Sequence, residues 1–225
     1  MSSRALSVVP DPEQEVSIAV AAVEIEERHD LPASPIEGEL PVASTPLEAG
    51  SSTAPAFWCV GAHGGAGATT LARLWAPAGD AGQVWPAAEE FTTCVVVCRS
   101  TMTGLDAAHS VVLQGQRDDR TGCTVLGVVV IADSPGKLSK PLKQKISILA
   151  ELTTLWHIGY EPGIRDHLPH ELATWIPSPE AENPKKRRKK QGVTEEVSVE
   201  VARVGHDVFL AAYQAVKATD SKEED

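Results

Sequence analysis

The sequence predicts an α/β fold built on a small, mostly parallel, doubly wound sheet. Three observations carry this. The runs "AFWCV", "TCVVVC" and "TVLGVVVIAD" are apolar without polar alternation, as strands covered on both faces are. Segments with helical apolar spacing lie between them. A glycine-rich stretch, 61–67, joins the first run to the first helix. Strands alternating with helices imply parallel βαβ units with right-handed crossovers.

The elements follow in order. Residues 57–60 read as a strand, and the loop leads to a helix over about 69–75 that Pro77 and Gly79 end. The second strand is "TCVVVC". After it, Leu105, Ala108, Val112 and Leu113 keep helical spacing. The third strand, "TVLGVVVIAD", precedes a helix in which Leu142, Ile146, Leu149 and Leu152 make a stripe, with Pro141 near its start. "WHIGY" reads as a fourth short strand, and "EPGIRDHLPHELATW" as a short helix or turn. Farther on, Val197, Val201, Val204, Val208, Ala212 and Val216 define a long amphipathic helix.

Charge divides the chain. Net charge is −11, with ten acids and two bases in residues 1–54 and eleven acids and nine bases in 55–179. Residues 180–225 hold ten acids and nine bases, six of the bases in one run: Lys185, Lys186, Arg187, Arg188, Lys189 and Lys190. This organisation predicts an acidic, largely disordered arm over 1–54, with a helix near 12–29 carrying Val16, Val20 and Val23. An α/β domain over 55–179, a basic linker over 180–192, an amphipathic helix over 193–218 and a disordered tail over 219–225 follow. The segment 31–54, rich in Pro, Ser, Thr, Glu and Gly, cannot bury enough surface to offset its ordering entropy.

Several function classes recede. No run approaches the length of a membrane span, and no basic region followed by an apolar run marks a secretory signal, so the cytoplasm is expected. Cys94 and Cys98, four apart on a strand, share a face with Val96 and read as core. No C-x-x-C is present. His157, His167 and His170 lie close in sequence, but Pro169 interrupts the helix that would align the last two, and they read as surface residues rather than a metal set. No nucleophile elbow or Ser–His–Asp set occurs. The basic run could neutralise nucleic-acid phosphates or act as a solvated tether. It has no interleaved aromatics for base stacking.

The stretch "VGAHGGAGATTLARLW" holds the chemistry. Glycines let successive amides point into one concavity, and the following helix adds the positive end of its dipole. The candidate ligand-binding residues are His63, Gly64, Gly65, Ala66, Gly67, Ala68, Thr69 and Thr70. "AHGGAGATT" resembles the deviant Walker A loop of the ParA/MinD family, roughly G-K-G-G-x-G-K-T/S-T, and "VVVCRSTMTGLDAA" and "VLGVVVIAD" are similar to later strands of that family. The likeness spans about residues 57–160 and implies an abbreviated sheet of P-loop NTPase type, a homodimer and ATP or ADP with magnesium. An uncharacterised actinobacterial family shares the GAHGGAG string, with some members encoded near conjugation or mobile-element genes.

The departures are specific. The family's opening glycine falls on Ala62, its signature lysine on His63 and its loop lysine on Ala68. No acidic Walker B strand is found. The strand that could carry one ends in Cys98-Arg99, and neither Asp80 nor Asp133 has the right surroundings. Loss of one well-placed charge typically costs about 3 kcal/mol of transition-state stabilisation, which makes hydrolysis improbable. The loop could therefore bind a nucleotide without turnover, bind another anion, or serve only for close strand–helix packing. His63 is expected at an exposed loop tip, and Arg99 and Arg165 at the carboxyl edge of the sheet. The expected function is a non-hydrolysing ParA/MinD-like adaptor or regulatory protein in plasmid transfer, partition or mobile-element functions, meeting a protein partner through its amphipathic ends. The alternatives are a slow ATPase using residues 61–70 and a nucleic-acid accessory protein acting through 185–190.

Overall fold

A computed structural model describes residues 38–48, 54–87, 92–117, 121–178 and 192–223. The helix expected near 12–29 and the basic run 185–190 lie outside these residues. Five parallel strands form one sheet: β1 (Phe57–Gly61), β2 (Ala78–Gly82), β3 (Thr93–Arg99), β4 (Thr124–Ile131) and β5 (Leu155–Ile158), in the order β2-β1-β3-β4-β5. The principal helices are α1 (Ala68–Leu74), α2 (Met102–Gly115), α3 (Lys140–Leu152), a short α4 (Pro162–Arg165) and α5 (Val199–Glu223).

Alternation along the strands sorts the core into two layers. Phe57, Cys59, Val95, Val97, Val129 and Ile158 face α1 and α5. Trp58, Val60, Cys94, Val96, Cys98, Val128 and Val130 face α2 and α3, which confirms the shared face of Cys94, Val96 and Cys98. The fold is thus the doubly wound α/β class that the sequence predicts. Among the described residues, no helix is long and apolar enough to cross a membrane.

Three findings depart from expectation. β2, "AGDAG", carries no strand signal in the sequence, because alanine, glycine and aspartate have little strand preference. It forms because Gly79 lets it lie against Trp58, where a Cβ would come within 2.4 Å of the indole ring. Second, the apolar stripe of α5 packs on the domain itself. Val201, Val204, Val208 and Ala212 are buried against the sheet, Gly205 admits the Trp75 ring, and Trp75 Nε1 donates to the Val201 carbonyl at 3.0 Å. The stripe had to meet an apolar face, and the sheet offers one.

Third, residues 38–48, expected within a disordered arm, form an extended strap on the domain. The Gln114 side chain, 5% exposed, holds it. Its Oε1 accepts from the Leu40 amide at 2.8 Å and from Trp85 Nε1 at 2.9 Å, and its Nε2 donates to the Leu40 carbonyl at 2.7 Å. Trp85 also pairs with the strap through its main chain. One amide side chain thus stands in for a neighbouring peptide unit. We expect Gln114→Ala to destabilise the domain by about 2 kcal/mol in urea unfolding, because it leaves buried polar partners unmatched. The same change exposes residues 38–48 to limited proteolysis.

Burial also marks the thiols. It pushes Cys98 from an ordinary 9.0 up to about 12. Cys59 is raised as well, by burial first and by the Asp80 carboxylate across the strand pair second. Both thiols stay neutral in the fold after they would ionise in the unfolded chain. Their contribution is therefore complete below pH 9 and is lost as pH climbs from 9 towards 12. Unfolding midpoints measured across that window should fall, with at least about 1 kcal/mol lost in the first unit, and the fall should shrink in Cys98→Ala.

Candidate functional site

The connection from β1 to β2 runs to one side of the sheet, and those from β3 to β4 and β5 run to the other. The order therefore reverses between β1 and β3, and ligands of such sheets sit outside the carboxyl ends of the strands at that point. The glycine loop leaves β1 there. It rims an open cleft of about 340 Å³ lined by His63, Gly64, Gly65, Gly67, Thr69 and Arg99 among others.

Backbone conformation sets the cleft. Gly65 and Gly67 have φ of 76° and 101°, in the left-handed region. A Cβ on Gly67 would stand 2.8 Å from Ile131 Cδ1, so this position excludes side chains for two separate reasons. Among the described residues, the amides of Gly64, Gly65, Gly67, Ala68 and Thr69 find no acceptor in the chain. Thr69 and Thr70 line the cleft without hydrogen-bond partners for their hydroxyls among those residues. Ala66 and Ala68 turn their methyls inward. Ala68, where the resemblance expects a lysine, is 5% exposed and packs in the α1 core layer, so it lends the cleft main chain and no charge.

His63 is not at a free loop tip. Its Nε2 accepts from the Arg99 amide at 3.1 Å, and its Nδ1 donates to the Gly64 carbonyl at 2.9 Å. This pair of bonds fixes the Nδ1–H tautomer. The ring ties the glycine loop to the β3–α2 turn, and it fits because Gly104 in the first turn of α2 carries no side chain. A Cβ there would lie 2.9 Å from His63 Nε2 and 2.6 Å from the Arg99 carbonyl. Neither requirement is legible in the sequence, since His63 and its partners lie 36 and 41 positions apart.

Arg99 supplies the cation of the cleft. Its Nε donates to the Gly65 carbonyl at 3.3 Å and its Nη1 to the Ala132 carbonyl at 3.4 Å. These are long, weak anchors. No carboxylate pairs with it among the described residues. Arg165 sits elsewhere: it donates to the Asp133 carbonyl at 3.2 Å and covers the Tyr160 ring at 5.2 Å. Among the described residues no carboxylate lines the cleft. Asp80 Oδ1 accepts from the Gly82 amide, and the Asp133 amide donates to the Ser100 hydroxyl. The donors present suit phosphate oxygens, whereas a magnesium ion would find no acid on the cleft wall.

The histidines weighed for metal do not converge. His157 lies on β5, His167 Nδ1 donates to the Gly163 carbonyl at 2.8 Å, and His170 is exposed. No group of three metal-binding side chains occurs among the described residues.

Fold and cleft together define a doubly wound α/β domain with a glycine-rich loop at its switch point. The chain belongs to a family of unknown function (DUF6668), whose model matches residues 55–177. No curated protein and no solved structure matches it.

The Gly104 contact yields a test against helix propensity. Gly→Ala inside a helix ordinarily stabilises by about 1 kcal/mol. Here Gly104→Ala should instead destabilise by about 1–3 kcal/mol, because the methyl meets backbone and an anchored ring. Chemical denaturation of this variant, alone and combined with His63→Ala, checks it: the double change should recover part of the loss.

Proposed function

We propose that the protein is a non-hydrolysing, ParA/MinD-like adaptor whose glycine cleft holds the phosphates of ATP, ADP or a related ligand. The supporting observation is the make-up of the cleft wall: among the described residues it offers unmatched main-chain amides and a guanidinium paired with no carboxylate, and no carboxylate lines it. Amides and guanidinium favour an anion. Phosphoryl transfer asks for more, namely a held metal ion and a group that orients the nucleophile. Among the described residues the cleft wall offers threonine hydroxyls for that work and no acid or lysine. In this reading the bound anion fastens the loop between β1, β3 and α1 rather than reacting. The partners this adaptor meets would be engaged by surfaces other than the buried stripe of α5.

Calorimetry with ATP and ADP, with and without magnesium, tests the reading. Binding is expected, with little change on magnesium removal, and Gly67→Val should weaken it at least about tenfold. Steady phosphate release above that of a Thr69→Ala variant would instead establish an ATPase, and an absence of binding to any phosphate would remove the anion cleft altogether.

A further inference from the structure

We infer that the cleft recognises the phosphoryl end of its ligand alone, a terminal phosphate or pyrophosphate group, and leaves the rest of the molecule in solvent. This selectivity presupposes the anion cleft proposed above and names what that cleft reads.

Two cavities meet at the carboxyl edge of the sheet. The open cleft is polar and glycine-walled. Beside it lies an apolar cavity of only about 40 Å³ whose lining includes Leu71, Leu74, Ile131, Ile158, Ile164 and Val201. That volume takes a few waters and no nucleobase. Val201 of α5 and Ile164 of α4 close this cavity, and Val201 also packs in the core layer of the sheet. Gly67, Thr70 and Arg99 belong to both linings. The Arg99 side chain, reaching the Gly65 carbonyl on one side and the Ala132 carbonyl on the other, is the partition between them.

The open cleft offers a base nothing in exchange. A flat apolar ring needs an apolar or aromatic shelf. Among the described lining residues the largest side chains are His63, Gln83 and Arg99, and none is an aromatic hydrocarbon ring. His63 is held at both nitrogens and cannot swing out to stack. Tyr160, the one phenol nearby, lines the small cavity and is covered by Arg165. What remains for recognition is a set of amides, two hydroxyls, the Gln83 carboxamide and one guanidinium, and the amides, hydroxyls and guanidinium read phosphate oxygens. Free pyrophosphate and the phosphate tail of a larger molecule present the same chemistry to such a wall.

Calorimetry on the full chain at fixed ionic strength distinguishes these, using pyrophosphate, ADP, inorganic phosphate, AMP and adenosine. Pyrophosphate and ADP should bind within about threefold of one another, as should phosphate and AMP, with adenosine silent. Arg99→Ala should weaken pyrophosphate and ADP alike by about tenfold or more, and Arg99→Lys, which keeps a charge, should restore part of that affinity. Circular dichroism of each variant confirms that it folds. ADP binding more than about tenfold tighter than pyrophosphate, or any heat from adenosine, would overturn base-blind recognition and leave the anion cleft intact. Silence from all four phosphate compounds would instead refute the cleft and this selectivity with it.

Discussion

The hydrogen bond from the Arg99 amide to the His63 imidazole holds the carboxyl edge of this protein in its shape. The amide belongs to the last residue of β3, and the imidazole to the loop that leaves β1. Strands β1 and β3 are already parallel neighbours in the sheet, so main-chain pairing brings the two ends together, and the ring then locks the loop across them. With the loop so placed, Gly65 and Gly67 turn through left-handed backbone, the amides of the loop face outward, and Arg99 lies alongside them with its charge unmatched. The Ala62 amide, donating to the Val97 carbonyl at 2.9 Å, and Arg99 Nε, donating to the Gly65 carbonyl at 3.3 Å, add further ties between the loop and β3.

This arrangement explains how the loop holds its form with His63 and Ala68 and no lysine between Gly61 and Thr70. A lysine in a phosphate loop serves the ligand, whereas glycines and the histidine strut serve the backbone. Burial of the Ala66 and Ala68 methyls, 2% and 5% exposed, adds to the same end. Charge then comes from a neighbouring strand. An arginine anchored by two long bonds to carbonyl oxygens is a poorer point charge than a loop lysine but a better match to the fork of a phosphate. Holding an anion and doing chemistry upon it are separate demands.

Much of this architecture is written in local pattern. The apolar runs of β1, β3 and β4, the helical spacing of α2 and α3 and the stripe of α5 all survive translation into three dimensions, because burial on two faces leaves little choice of residue. What the sequence hides is whatever depends on a distant partner. The "AGDAG" strand exists only because Trp58 has a flat surface for Gly79 to lie against. The strap at 38–48 is ordered by a glutamine more than seventy positions away. The stripe of α5 states that the helix is amphipathic but not what it covers. At the cleft, the glycines and threonines were legible as a motif, and Arg99 as a residue at the right edge. The inward role of His63 was not, since it rests on a missing side chain at Gly104.

The position of α5 has a consequence for how the chain comes into being. Phe57, Val95, Val97, Val129 and Ile158 form a continuous greasy floor, and the helix that roofs it is translated last among these elements. Until Val201, Val204 and Val208 have left the ribosome, the nascent sheet has only α1 over this floor, and the layer closes when α5 follows. A chain stalled between residues 158 and 199 would hold every strand of its sheet and none of its keystone, which makes it natural prey for chaperones.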